Sequence, residues 1–348
     1  MKNLIVLALL AAAIFGGIKF SEWYSGNTAS ESASPVEIPA QFTREFSNSL
    51  AFVEGNKGQG SGFICTFGNK KFVVTNQHVI AGNPGARFTL LDQSPVRTGQ
   101  AAAAVGHDIM SFALLSEANA MEIMTNVEAN AAIGDDVAVL GNADGDRVIK
   151  PIGGKLVGIG PDRVEVTAPF VHGNSGSPII HVKSRQVLGI ATFAITRKFD
   201  SITRKPKAEP ETKYFGYRLD TVRQWQPITW PAYVADHALL EKIEARTNDF
   251  LKLGLSLNFT PSNYGDPAIR NTLERYASAK SGHGLIKSSP LSAATDAITG
   301  LRHACETDIL AAQAQVSYDY FRRQLEEQRK LRLELYKGFS EGLKRLHK

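Results

Sequence analysis

The sequence predicts a mainly β protein, built as a barrel or sandwich, followed by an all-α C-terminal extension. Two textures and the length predict it. From Gln41 to Leu219, short β-branched and aromatic runs alternate with Gly, Asn and Asp: SGFICTF, KFVVTN, RFTLLD, DDVAVLG, RVEVTA, SPIIHV, QVLGIATFAI and KYFGYRL. Many short strands at such spacing mark all-β architecture. From about Pro231 helical spacing takes over. The 348 residues, 43% of them hydrophobic, suffice for one large or two medium domains with a sizeable core.

The chain opens with Met1-Lys2-Asn3 and an apolar run from Leu4 to Ile18, closed by Lys19. A basic start before an apolar run reads as an export signal. The run has 15 residues, short of the about 20 that a spanning helix needs; Phe20, Trp23 and Tyr24 could extend it into the interface. No clean small-x-small cleavage site follows. Residues 1–24 are thus a signal peptide or an uncleaved membrane anchor. Either places the rest of the chain in the periplasm or cell envelope, tethered to the inner membrane if the anchor is kept. Residues 25–40, SGNTASESASPVEIPA, are small, polar and proline-punctuated, which reads as a flexible linker.

The β-rich segment defines a domain over residues 41–225. Within it LLSEANAMEIM is ambiguous and could connect two halves. RKFDSITRKPKAEPET is charged and proline-bearing, and reads as a surface loop before the last strand. Residues 231–348 form the helical extension. AYVADHALLEKIEARTNDFLKLGL and DPAIRNTLERYASAK carry helical spacing, with Pro267 placed at a helix start. Ile298, Leu301, Cys305, Ile309, Ala312, Val316 and Tyr320 then step by threes and fours, and Phe321 to Leu346 continue a looser stripe. That predicts one long helix, either a coiled coil joining copies of the chain into a homo-oligomer or a helix folded back on its own barrels.

The formal charge is +5. Nine Lys/Arg against four Glu lie between Arg322 and Lys348, so much of the excess belongs to the tail. That basic face reads as solvated, with anionic lipid as the lesser reading. No nucleic-acid signature is present. The two cysteines, Cys65 and Cys305, read as separate thiols rather than a disulfide. There is no zinc spacing, phosphate loop or dinucleotide fingerprint, so no metal or cofactor is expected.

The chemistry gathers around FVHGNSGSPII, residues 170–180. A serine nucleophile needs a base in reach and an acid to orient that base. FVVTNQHVIAG puts His78 just past an apolar strand, and VGHDIMSFALL puts Asp108 just before another. The order is His78, Asp108, Ser175, with spacings of 30 and 67. Each alone reads equally well as a turn residue; together they suggest a catalytic set. Gly173 and Gly176 permit positive φ around the serine. The N–H groups of Gly173 and Ser175 are the natural donors to an oxyanion.

Taken together, GQGSGFICTFGNKKFVVTNQHVI, GHDIMSFALL, GDDVAVLGNADGD and GNSGSPIIHVKSRQVLGIAT resemble the trypsin-like serine proteases, most closely the bacterial HtrA-like branch. The resemblance spans about Phe42 to Leu219. It implies two six-stranded β-barrels with the site in the cleft between them. His78 would be the general base, Asp108 its orienter and Ser175 the nucleophile of a serine endopeptidase acting on protein substrates. The pocket for the residue before the scissile bond would be walled by Ala168, Pro169, Ala191 and Thr192. No acidic residue occurs there, which suggests a small or medium apolar preference. Several positions depart from the family: Met110-Ser111 follow the acid, and Ser177 stands for a more frequent glycine. Asn174 stands where many digestive relatives carry an Asp that pairs with a new N-terminus. Asn cannot form that ion pair, so no such activation step is expected. The tail lacks the texture of a PDZ domain.

Two rivals remain. An α/β-hydrolase would order its triad Ser, Asp, His and want glycine at position 177. A catalytically inactive protease-fold scaffold tethered to the membrane is the reading from another class, since one fold hosts many functions.

Overall fold

The computed structural model describes residues 36–199, 206–256, 260–282 and 290–346. The expected signal or anchor, and most of the linker, lie outside the described residues. Among the described residues no helix is long and apolar enough to cross a membrane. The described residues divide into two compact units: one made of 36–198 together with 207–234, the other of 199, 206 and the residues from 235 on.

The first unit begins with α1 (Ala40–Phe46), which buries Phe42 and Phe46 edge to face, ring centroids 5.2 Å apart. Eight strands then form one antiparallel sheet: β1 (Leu50–Glu54), β2 (Gln59–Phe67), β3 (Lys70–Thr75), β4 (Arg87–Leu90), β5 (Pro95–Val96), β6 (Thr98–Ala104), β7 (Met110–Leu114) and β14 (Trp225–Pro227). Their spatial order is β14-β6-β7-β3-β2-β1-β4-β5. The β2–β3 hairpin turns on Gly68-Asn69, with Gly68 at φ +58°, a conformation that costs glycine nothing. The short helix α2 (Gln77–Ala81) follows β3.

Six strands close a barrel: β8 (Asp136–Asn142), β9 (Ile149–Ile159), β10 (Arg163–Val166), β11 (Pro178–His181), β12 (Val187–Phe199) and β13 (Pro206–Arg218). They run around it in the order β10-β13-β12-β11-β8-β9. The mainly β architecture, followed in the chain by helices, is as the sequence predicts. Of the two expected six-stranded barrels, one is present; the other module is an eight-stranded sheet, lengthened by the β4–β5 hairpin and by β14.

Alternation explains why the barrel strands read as unbroken apolar runs. On β8, Val137 and Val139 point into the barrel core with Leu156, Val164 and Ile179. Ala138 and Leu140 point the other way, into a core with Phe63, Cys65 and Val74 of the eight-stranded sheet and Ile109 just before β7. A strand buried on both faces has no polar side to show. LLSEANAMEIM is not helical: Leu114 ends β7, and Met121 and Ile123 make isolated bridges. Of the charged segment expected as a loop, the described residues, 197–199 and 206–212, are strand. Thr196 and Thr212 hydroxyls lie 3.0 Å apart across the β12–β13 ribbon, and Pro206 sits where strands tolerate proline, at the first position.

Behind the barrel, Arg218 is 1% exposed. It donates to Glu128 at 2.5 and 2.6 Å, to Asp220 at 2.7 and 3.0 Å and to the Gly160 carbonyl at 2.8 Å. Asp220 in turn accepts the Val127 N–H at 3.0 Å, which ties down the connecting helix α3 (Val127–Asn130). Hydrogen bonds from Arg218 hold the Glu128 carboxyl down at about 2. Cys65 is a buried free thiol, pushed up by desolvation.

The second unit is helical. Its boundary falls inside α4 (Trp230–Ser256), and α5 (Pro267–Gly282), α6 (Pro290–Gln315) and α7 (Asp319–Leu346) complete it. Asp266 caps α5, its Oδ1 accepting the Ala268 and Ile269 N–H groups, with Pro267 in the first turn as expected. The expected single long helix is two. Asp236, 3% exposed, accepts the Ser317 and Tyr318 N–H groups at 2.7 and 2.9 Å. Those two donors leave the helical ladder, and α7 starts afresh at Asp319. Much of the apolar stripe is used inside the unit: Leu301 and Leu335 pack with Phe250, Leu253, Ile269 and Leu273.

Candidate active site

His78 lies on α2, one residue after the buried Gln77, with its side chain 36% exposed. Asp108 lies in the turn before β7 and is 7% exposed. The two meet: His78 Nδ1 is 2.6 Å from Asp108 Oδ2, and the His78 backbone N–H donates to Asp108 Oδ1 at 3.0 Å. An ionised carboxylate only accepts. Nδ1 therefore carries the ring proton, and Nε2 is left as the acceptor nitrogen of the neutral ring.

The acid's loop is held from the histidine's side. Asn76 Nδ2 donates to the Asp108 carbonyl at 2.8 Å and to Thr192 Oγ1 at 3.1 Å. Gln77 Nε2 donates to the His107 carbonyl at 2.8 Å. Both amides are wholly buried. Sequence reasoning passed over them, although TNQH places two amides directly before the histidine. His107 is structural: its ring bonds the Val105 carbonyl at 3.0 Å and Thr221 Oγ1 at 2.8 Å.

Ser175 is half-buried in the loop between β10 and β11. Gly173 and Gly176 on either side of it have φ +87° and +91°. A Cβ on Gly173 would stand 2.2 Å from the Asn142 carbonyl oxygen, so no other residue fits without displacement. The N–H groups of Val171, Asn174, Gly176 and Ser177 are all spent within the protein. Those of Gly173 and Ser175 donate to no protein acceptor among the described residues. A pair of unspent donors flanking a serine is what an oxyanion site requires.

The serine loop and the histidine helix meet at Gly60. A Cβ there would lie 2.9 Å from Val79 and 3.1 Å from the Ser175 carbonyl oxygen. A direct Ser175–His78 side-chain hydrogen bond is not formed among the described residues. Such bonds are often long before substrate arrives. Of the four residues expected to wall the substrate pocket, only Pro169 is exposed. Ala168 and Ala191 have no accessible surface and belong to the barrel core, so in this conformation they fill the barrel rather than line a pocket. Thr192 is 8% exposed and is engaged by Asn76. Among the described residues no cluster of His, Cys, Asp and Glu is arranged to hold a metal ion.

The family model described as "Trypsin-like peptidase domain" matches residues 60–190. No curated protein matches the chain. Solved structures similar to it include the inactive form of the Rv3671c protease, also solved as a mutant and there attributed to M. tuberculosis H37Rv; the non-mutant form has 20% identity, covers 55% of this chain and 94% of that one, and has TM-score 0.41. A serine endoprotease from Yersinia pestis has 19% identity, with 52% and 64% covered and TM-score 0.40. The HtrA-type protease AlgW with tripeptide has 18% identity, with 53% and 60% covered and TM-score 0.42. At such identities the family match carries the assignment, and these likenesses add nothing to it. The match to the trypsin-like peptidase domain thus spans His78, Asp108 and Ser175.

Proposed function

We propose that this chain is a serine endopeptidase that cleaves protein substrates by acyl transfer. Ser175 Oγ attacks the scissile carbonyl, and His78 Nε2 takes its proton. Asp108 holds the imidazole with Nδ1 protonated and stabilises the imidazolium that forms. The Gly173 and Ser175 N–H groups receive the oxyanion. His78 then passes the proton to the leaving amine, and water repeats the sequence to release the acyl group. The observation that carries this reading is the His78–Asp108 pair, within the same peptidase-family match as a serine whose own N–H and that of Gly173 are unspent.

The cell envelope is the proposed location, supported by the apolar run Leu4–Ile18 behind a basic start. The test is cleavage of fluorescent casein by the purified full chain. The wild type is expected to cleave it, and Ser175→Ala to lose about 10⁶ in kcat with an unchanged melting curve. A wild type that folds but leaves casein and unbiased peptide libraries intact would support the inactive scaffold.

A further inference from the structure

We infer that Ser61, on β2, is a positioning residue that sets the oxyanion site through its buried hydroxyl. The inference rests on the peptidase reading. Ser61 is 1% exposed, and both its N–H and its hydroxyl donate to the serine loop. Its N–H donates to the Ser175 carbonyl at 2.8 Å, and its carbonyl accepts Thr75 Oγ1 at 2.8 Å. Its hydroxyl donates to the Gly173 carbonyl at 2.8 Å and accepts the Asn142 N–H at 2.8 Å.

The consequence follows from peptide planarity. In a trans peptide the C=O and the following N–H point in opposite directions. The Asp144 N–H holds the His172 carbonyl at 2.9 Å, so the Gly173 N–H faces away from the 142–145 segment. The Ser177 N–H holds the Asn174 carbonyl at 2.9 Å, which turns the Ser175 N–H outward in the same way. Between these two peptides lies the one joining Gly173 to Asn174, and its carbonyl is what the Ser61 hydroxyl grips. Glycine at φ +87° resists rotation less than other residues, and the N–H of this peptide is held within the loop by the Val171 carbonyl at 3.1 Å, so the Ser61 hydroxyl is its tie to the rest of the domain. The same hydroxyl fixes Asn142, two residues before Asp144, so one oxygen ties the serine loop to the segment that aims Gly173.

Removing that oxygen leaves the buried Gly173 carbonyl and the buried Asn142 N–H without their partner, and the Gly173–Asn174 peptide is then held, among the described residues, only through the Asn174 N–H bond to the Val171 carbonyl at 3.1 Å. Substrate binding does not use these groups, but transition-state stabilisation does. Ser61→Ala takes away one oxygen and leaves the apolar contacts of β2 in place. Ser61→Thr keeps the hydroxyl.

The test uses a rhodamine-linked fluorophosphonate on the full chain, measuring the maximal labelling rate and the half-saturating concentration separately. Ser61→Ala is expected to lower the maximal rate about tenfold or more, with the half-saturating concentration within twofold and the melting curve still cooperative. Ser61→Thr is expected to stay within about threefold of wild type. Labelling of Ser61→Ala within twofold of wild type would overturn the inference and leave the peptidase reading standing, as would equal slowing in Ser61→Thr. An unlabelled wild type would overturn both.

Discussion

Two buried carboxylates in this molecule do the same local job to different ends. Asp108 in the β unit accepts two N–H groups of His78, one from the backbone and one from the ring. Asp236 in the helical unit accepts two backbone N–H groups, from Ser317 and Tyr318. Each joins segments distant in sequence, and each is less than a tenth exposed. What differs is the far end of the bond. Behind Asp108 stands an imidazole with a second nitrogen, so the bond controls a proton. Behind Asp236 stands only main chain, so the bond controls where one helix ends and the next begins. A buried carboxylate is thus evidence of function only when the group it holds has further chemistry to perform.

The comparison can be broken most sharply at the site. Asp108→Asn keeps the shape but offers a donor where Nδ1–H needs an acceptor, and is expected to lose about 10⁴ in kcat. His78→Ala is expected to lose about 10⁶. Casein hydrolysis checks both, and melting curves should move little. A large stability loss with little effect on rate would make Asp108 an architectural group like Asp236.

Arg218 supplies the intermediate case, an ion cluster with no imidazole to hold. Arg218→Ala strands Asp220 and is expected to cost about 3 kcal/mol in urea unfolding, at the low end for a buried pair because Glu128 is half exposed. The rate per folded molecule should not change. Because the Glu128 carboxyl is held down at about 2 in the folded state, its contribution is fully present above the ordinary carboxylate value. It is lost as pH falls towards 2, so acid unfolding should shift least in Arg218→Ala. Equal acid sensitivity of both proteins would contradict the pairing.

The smallest effect belongs to Asp236. Desolvation raises its pKa, against the opposing hydrogen bonds of Tyr318 and Ser317. Its contribution is therefore greatest below the ordinary carboxylate pKa and declines as pH rises through the raised folded value. Asp236→Asn can still accept both N–H groups through one oxygen, and should lie within about 1 kcal/mol of wild type while losing this pH dependence. Calorimetry between pH 3 and 7 measures it. A wild type whose melting temperature relative to the variant rises with pH would show that the sign is wrong.

The parts of the site that are legible in the sequence are those written in residue type. His78, Asp108 and Ser175 stand beside strand ends, and glycine at 173 and 176 announces backbone that other residues avoid. The pocket walls are not legible, because Ala168 and Ala191 look the same in sequence whether they line a cavity or fill a core. Ser61 is hidden for the opposite reason: GQGSGFI reads as an ordinary strand, and its hydroxyl gains meaning only from Gly173, 112 residues on. The helix break at Ser317 is illegible in principle. The apolar stripe steps through it unbroken, and the carboxylate that ends the helix lies 81 residues upstream. Local pattern sets the type of an element, while its boundaries yield to distant hydrogen bonds.

The central claim is that the hydroxyl of residue 175 is made reactive by the imidazole of residue 78. Intact-mass spectrometry after fluorophosphonate treatment, followed by mapping of the modified peptide, tests it directly. One adduct per chain on Ser175, abolished in His78→Ala, is the predicted result. An adduct on another serine, or one on Ser175 that forms equally fast without His78, would contradict it.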